Sequence, residues 1–530
     1  MRRSGWICGL LVCTFASLPG FPQAIPHLEK RGKATQLIVD GKPFLALGGE
    51  LYNNSATSLE YLQPIWPKLT AMHLNTVLAA VSWALLEPAE GKFDYTLVDG
   101  LIREARANHL RLVLLWFGSW KNTWSSYAPE WIKRDQERFP RVQLRNGAGT
   151  ERLSPFSDAN READARAFGV LLRRIREVDP AQTVIMVQVE NEVGVIPEAR
   201  DYSPAATQAY GEPVARELMD YLEKHKDALE PELREKWQAA GFKTSGDWRE
   251  VFGSSAETDD WFMAWQYARY IGKVAAAGKA EYALPMYANA ALIRPSYAPG
   301  QYNSGGPLAH SMDLWKAGAP QLDFVAPDIY FEFKKWSDAY DRPGNPLFIP
   351  EATGGAAGAA NVFYAVGQHR ALGFSPFAID SESGSPELGR SYELLSQLAP
   401  LILENQAKDR VAGVVLEELT PSQRIRLGDY TLNISRSGGT GSPPVPHGIF
   451  IESGPEEFYM AGNGLNITFT PETPGPPMVG LATVEEGRFV DGRWVRGRTL
   501  AGDDTGQGNN ISLDAARGPG ILRVTLYRYR

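Results

Sequence analysis

The stretch Thr183-Val184-Ile185-Met186-Val187-Gln188-Val189-Glu190-Asn191-Glu192-Val193-Gly194 opens on apolar, partly β-branched residues and ends on an acid, an amide and an acid before a glycine. It reads as a buried strand that stops at a reactive edge. Side chains alternate along a strand, so Gln188, Glu190 and Glu192 are expected on one face that grows more polar toward the C-terminal end. A carboxylate buried there is costly unless it is paired or used, and one alone could equally be the structural partner of an arginine. A second run, Asn345-Pro346-Leu347-Phe348-Ile349-Pro350-Glu351-Ala352-Thr353-Gly354-Gly355, again delivers a carboxylate to a glycine-rich exit. Two such strand ends in one chain suggest a carboxylate pair.

Working outward, strand and helix patterns alternate. Asp40-Gly41 marks a tight hairpin whose second arm leads into a first strand ending near Gly48-Gly49-Glu50-Leu51-Tyr52. Strands follow at 75–81, 110–117, 183–189, 284–289, 322–330, 345–351 and 371–380, with helical spacing between them, as at Leu62, Ile65, Leu69 and Met72. Eight alternating units fit a closed (β/α)8 barrel better than an open dinucleotide-binding sheet, whose glycine fingerprint is missing. In such a barrel the reactive residues sit at C-terminal strand ends, where both carboxylates fall. Strands four and seven lie across the mouth from each other, so Glu192 and Glu351 are expected to face one another.

The fold class is therefore α/β, a (β/α)8 TIM barrel followed by a smaller all-β, sandwich-like domain. The division is 1–24 as a signal peptide, 25–408 as the barrel with a helical insertion at about 195–283, and 409–530 as the all-β domain. Charged helices fill the insertion, which suits a wall or lid over the site or an oligomer contact. Residues 437–444, rich in Gly, Ser and Pro, read as a flexible loop.

Composition narrows the function. The net charge of −8 and the lack of a Lys/Arg-rich run argue against a nucleic-acid surface. A basic start and a short apolar core, Trp6 to Ala16, read as a secretory leader and not as a membrane span. Both cysteines, Cys8 and Cys13, lie inside it, so the exported chain would have no thiol for a disulfide, a nucleophile or a metal site. The seven histidines are scattered, and no metal and no cofactor are expected. Fourteen tryptophans fit either a large core or stacking platforms for sugar rings.

Two carboxylates flanking one bond are what acetal hydrolysis requires. The run Gln188-Val189-Glu190-Asn191-Glu192, the earlier Trp83, Glu87-Pro88 and Gly91-Lys92-Phe93-Asp94, and the later Glu351 resemble glycoside hydrolase family 35, the β-galactosidases, over roughly residues 35–400. That resemblance implies Glu192 as acid/base, Glu351 as nucleophile, Asn191 holding the sugar 2-hydroxyl and Tyr330 beside the nucleophile. Glu190 is read as structural, as is Asp380. Trp83, Trp116, Trp120 and Tyr52 are candidates for the sugar platform, the alternative being barrel-rim packing; Glu87 and Asn122 are candidates for hydroxyl contacts. At the third strand, Phe117-Gly118-Ser119-Trp120-Lys121-Asn122 replaces the Gly-Pro-Tyr and Cys-Ala-Glu stretches that contact the 4- and 6-hydroxyls in better-known members.

The resulting expectation is a secreted, periplasmic, retaining enzyme that releases terminal β-galactose from oligosaccharides such as xyloglucan fragments. Its partner is the oligosaccharide, with no nucleic acid and no membrane span, and an oligomer is compatible with it. A β-glucosidase or endo-glycanase of the same clan, or a non-catalytic carbohydrate-binding protein, are the alternatives.

Overall fold

The computed structural model describes residues 24–381, 385–437, 445–514 and 520–530. The expected leader, with Cys8 and Cys13, and residues 438–444 of the glycine-rich loop lie outside the described residues.

Eight parallel strands close into a barrel: β1 (Ala46–Glu50), β2 (Thr76–Ser82), β3 (Arg111–Lys121), β4 (Val184–Asn191), β5 (Met286–Ala291), β6 (Phe324–Ile329), β7 (Ile349–Ala352) and β8 (Gly373–Pro376). The ring shuts where Gly373 and Phe374 of β8 pair with Ala46 and Leu47 of β1. These segments read as continuous apolar runs because both faces are buried. Leu78, Val113, Leu115, Phe117, Ile185, Tyr287, Phe324, Phe348 and Leu372 fill the interior as a core of their own, while Leu114, Val187, Val189 and others meet the helices outside.

A three-stranded sheet, His27–Arg31, Ala34–Val39 and Lys42–Phe44, precedes the barrel. Its Leu37 and Val39 join the interior core with Ala46 and Phe324, residues from strand starts. The N-terminal end is thereby plugged, and the C-terminal end is left as the mouth.

Helix α1 (Asp158–Val178) is capped by Ser157, whose side chain accepts from the Asn160 amide. It packs along α2 (Ala256–Glu281), an apolar helix capped by Ser255. α2 is thus the barrel's own helix between β4 and β5. The interposed segment is the part before it, with short helices Pro204–Gly211, Arg216–Lys224, Pro231–Ala239 and Trp248–Phe252.

After α3 (Gly355–His369) and α4 (Pro386–Gln406), ten antiparallel strands form a six-stranded and a four-stranded sheet. Alternation divides the six-stranded sheet between two cores: Ile449, Ile451 and Tyr459 join the barrel's helix layer, while Phe450, Phe458 and Met460 face the other sheet. Strands at Ser422–Leu427, Leu465–Pro471, Met478–Val490, Arg493–Thr499 and Ile511–Leu513 escape the sequence pattern, because several carry charge on an exposed face and glycine in mid-strand. Among the described residues no helix is long and apolar enough to cross a membrane.

The two parts meet at Gly413, where a Cβ would lie 2.1 Å from the Phe363 carbonyl oxygen on α3. Gly413→Val should wedge that contact apart and cost about 1–3 kcal/mol, seen as a lower unfolding temperature by calorimetry; an unchanged transition would show the contact to be dispensable.

Candidate active site

Two backbone reversals shape the edge of β4. Glu190 (φ 64°) and Glu192 (φ 45°) both adopt left-handed conformations, which residues with side chains rarely do. The pairing of β3 with β4 also slips there, from Trp116 opposite Val189 to Lys121 opposite Asn191. Such a bulge re-aims the side chains beyond it.

The expected common face for Gln188, Glu190 and Glu192 is therefore wrong at its middle member. Glu190 turns outward, accepting from the backbone amides of Ser119 (3.1 Å) and Trp120 (2.7 Å) and abutting Asp164 on α1. Burial, then the charge of Asp164 and a hydrogen bond between the two carboxyls, push its carboxyl well above the usual range. Asp164 also accepts from Trp116 Nε1 (2.9 Å) and Ser119 Oγ (2.5 Å). This network lies behind the barrel wall and anchors the end of β3. Gly118 is required in it, since a Cβ would sit 2.4 Å from Glu190 Oε1.

Glu192 and Glu351 converge as anticipated. One carboxylate oxygen from each, and one from Asp328 at the end of β6, all lie within 4.8 Å of one another. The Glu192 amide donates to Asn289 Oδ1 (3.0 Å), and its carbonyl accepts from Asn303 Nδ2 (2.8 Å) and the Thr123 amide (3.2 Å). Gly194, at φ 147°, lets the Asn303 loop approach; a Cβ there would meet the Asn303 backbone at 2.5 Å. Tyr330 donates its hydroxyl to Glu351 Oε1, and Asn289 Nδ2 donates to Asp328 Oδ2 (2.6 Å). Glu351 Oε2, Asp328 Oδ1, Glu50 Oε1 and both amide atoms of Asn191 are buried without a partner among the described residues. Buried polar atoms left open at a barrel mouth are sockets for a polar ligand.

The charges are mutually constrained. Burial, then repulsion by Glu351, push Glu192 up to about 7, against the pull of Lys121. Burial and Glu351 likewise raise Glu50 and Asp328 well above the usual carboxylate range. Burial works against the ammonium of Lys121, yet Glu192, Glu351, Glu50 and Asp328 together hold its pKa above the ordinary lysine value. Four acids around one cation cannot all ionise, so protons are stored in the site at neutral pH. The trio Glu192, Asp328 and Glu351 offers oxygens close enough for a hard cation, though Lys121 already supplies a positive charge there.

Comparison with known proteins gives partial matches. A glycoside hydrolase family 42 model, described as Beta-galactosidase, matches residues 52–271, and a domain of unknown function (DUF5597) matches 388–512. The first match includes Glu192 and stops short of Glu351. A β-galactosidase from Xanthomonas manihotis is 29% identical over 177 residues, 33% of this chain and 27% of that protein. The human Beta-galactosidase-1-like protein 3 is 31% identical over 180 residues, 33% of this chain and 25% of that protein. Over part of the barrel the chain is thus similar to β-galactosidase glycoside hydrolases. The chain spans about a quarter of the length of these curated relatives. Among solved structures, the cold-adapted β-galactosidase of Rahnella sp. R3 aligns with a TM-score of 0.45 at 18% identity, covering 67% of this chain and 56% of that one.

Around the barrel mouth the remaining predicted residues separate into two groups. Tyr330 is 44% exposed and Tyr52 53% exposed at the mouth, Tyr52 lying beside Phe377 with ring centroids 5.8 Å apart. Asn122 is exposed, accepts from Lys121 Nζ (3.2 Å) and donates its amide to the Asn191 carbonyl (3.2 Å). Trp83, Glu87, Trp116 and Trp120, by contrast, are fully buried with their polar side-chain atoms taken by protein partners. Trp83 Nε1 donates to Glu87 Oε2 (2.8 Å), and Glu87 Oε1 accepts the Gly91 amide (2.8 Å), so this pair braces the turn after β2. Trp116 points to Asp164, and Trp120 wedges between Tyr267 and Tyr270 while donating to the Leu153 carbonyl (3.1 Å). Asp380 is structural as expected, accepting from the Tyr52 amide and Ser55 Oγ.

Lys121, Glu50, Asp328 and Asn289 were missed. Each is a polar residue at or near the C-terminal end of an apolar barrel strand, the same signal that singled out Glu351. Trp124, 45% exposed with the Arg152 guanidinium 3.9 Å over its ring, is a further aromatic at the end of β3.

The reassignment of Trp83 is testable. Trp83→Phe strips a donor from the buried Glu87 and should cost about 1–3 kcal/mol in denaturant unfolding while KM stays within about twofold; a large rise in KM at unchanged stability would return Trp83 to the binding surface.

Proposed function

We propose that this protein is a retaining β-galactosidase of the family 35 type, exported on its leader to a bacterial periplasm, which removes terminal β-linked galactose from oligosaccharides such as xyloglucan fragments. The observation that carries the reading is the approach of Glu192, Glu351 and Asp328 oxygens to within 4.8 Å at the barrel mouth. Retaining enzymes hold their two carboxyls about 5–5.5 Å apart, whereas inverting ones leave roughly 6.5–9.5 Å for a water. The close approach favours retention.

In the first step Glu351 attacks the anomeric carbon as the bond to the leaving oxygen breaks, and Glu192 gives that oxygen its proton. In the second, Glu192 takes a proton from water, which attacks the same carbon and releases Glu351. A carboxyl near 7 suits both duties. Burial and the charge of Glu351 keep Tyr330 protonated, so its hydroxyl orients the nucleophile. Asn191, with both amide atoms open, is suited to the 2-hydroxyl.

A second reading rests on a specific residue. Lys121 lies in the stretch Phe117-Gly118-Ser119-Trp120-Lys121-Asn122, which stands in place of the segments that contact the sugar 4- and 6-hydroxyls in better-known family members, and that departure favours a β-glucosidase or endo-glycanase of the same clan. A panel of nitrophenyl β-glycosides, with proton NMR of the first-formed anomer, separates these. We expect galactoside cleavage with the β-anomer formed first, and Glu351→Gln should lower kcat by roughly 10³-fold. Sugar binding with no turnover on any glycoside would mean a carbohydrate-binding protein.

The pH profile gives an independent check. Glu192 must be protonated to act as acid, so kcat/KM should fall as pH rises through about 7. Glu192→Gln should erase that limb, and the residual rate of Glu351→Gln should show it at lower pH, because the like charge that raises Glu192 is gone. A limb unmoved by either substitution would assign it to another group.

A further inference from the structure

We propose that Lys121 is the residue that selects the sugar, its buried ammonium donating a hydrogen bond to a ring hydroxyl that in turn donates one to Glu50. The inference rests on the glycosidase reading above and deepens it.

Lys121 leaves the end of β3 and is only 6% exposed, its Nζ 5.2 Å from the Phe117 ring centroid. An ammonium carries three donors and no acceptor. One donor is used, on Asn122 Oδ1 at 3.2 Å, and among the described residues no carboxylate oxygen lies within ion-pair distance of it. Burying a cation without a paired anion is unfavourable unless something else takes its hydrogen bonds. The surrounding carboxylates keep it charged, so it acts as a donor and never as a base.

Glu50 supplies the complement. It is 1% exposed at the end of β1, and its Oε1 has no partner among the described residues. Between β1 and β3, β2 adds Leu78 to the interior core with the small Ala80 packed against it. A group that satisfies both residues must accept from one and donate to the other. A hydroxyl does both. A carboxylate or phosphate on the ligand would meet Glu50, Glu192, Asp328 and Glu351, so the preferred sugar is a neutral pyranose.

The alternative is that Lys121 merely offsets the carboxylate charge. Nitrophenyl β-glycosides of the preferred sugar, lacking one ring hydroxyl at a time, distinguish the two. For the wild-type enzyme, deletion of one particular hydroxyl should cost about 10²-fold or more in kcat/KM, since an unpaired buried donor is left behind. In Lys121→Met the same deletion should cost less than about tenfold, with the penalties at other positions unchanged. Glu50→Gln, which keeps the shape of the side chain, should shrink the penalty at the same position and serves if Lys121→Met does not fold. Equal penalties in wild type and variants at every position, with only a uniform loss of rate, would overturn the inference and leave the glycosidase reading standing. No turnover of any glycoside by the wild type would remove both.

Discussion

Like charges held together out of water govern this molecule. Glu50, Glu192, Asp328 and Glu351 arrive on four different strands, yet they share one buried volume with one lysine. Such a cluster opposes folding, because each ionised acid raises the cost of the next. It persists because the barrel around it is closed, plugged below and covered by helices, and because protons and Lys121 reduce the net charge. The same repulsion is what makes the site useful: it leaves one carboxyl poised near neutrality beside another whose Oε1 is held by Tyr330.

The reversal at the end of β4 decides which acids belong to that cluster. Were β4 regular, Glu190 would enter the barrel as well and add a further carboxylate. The left-handed turn at Glu190 instead exports that side chain to Asp164, Ser119 and Trp120, where it fastens β3 to α1. Strain at one residue is thereby exchanged for hydrogen bonds outside the site. A second left-handed residue, Glu192, follows at once, held by Asn289, Asn303 and Thr123 at its backbone. Position is controlled here through the main chain, and the carboxylate itself is left free.

These reversals also explain what could be read from the chain and what could not. Barrel strands are apolar on both faces, so their number, order and reactive ends at Glu192 and Glu351 are legible as runs of Val, Ile and Leu stopping at an acid. Direction is not legible once alternation fails. Trp116 and Trp120 flank a bulge, and nothing in their spacing tells that both face α1 and α2 instead of the mouth. Trp83 and Glu87 looked like binding residues because an aromatic and an acid after a strand can serve either purpose; their mutual hydrogen bond uses up both. Glu50, Lys121 and Asp328 were in plain view at strand ends but carried no second feature, such as a following amide or glycine-rich exit, to set them apart.

The all-β part is also more than an appendage. Its six-stranded sheet contributes Val411, Ile449, Ile451, Tyr459 and Ile521 to the core that underlies the barrel helices. His447 lies against Phe363 of α3 with ring centroids 4.8 Å apart, and Gly413 allows the backbones to touch. Taking that sheet away would expose the apolar flank of α3, including Phe363 and Val366, to water. α3 begins directly after β7, the strand that carries Glu351. The sheet therefore bears on the site through one helix: it buries the far side of the element whose start fixes where β7 ends, and so supports the position of a carboxylate that it does not touch.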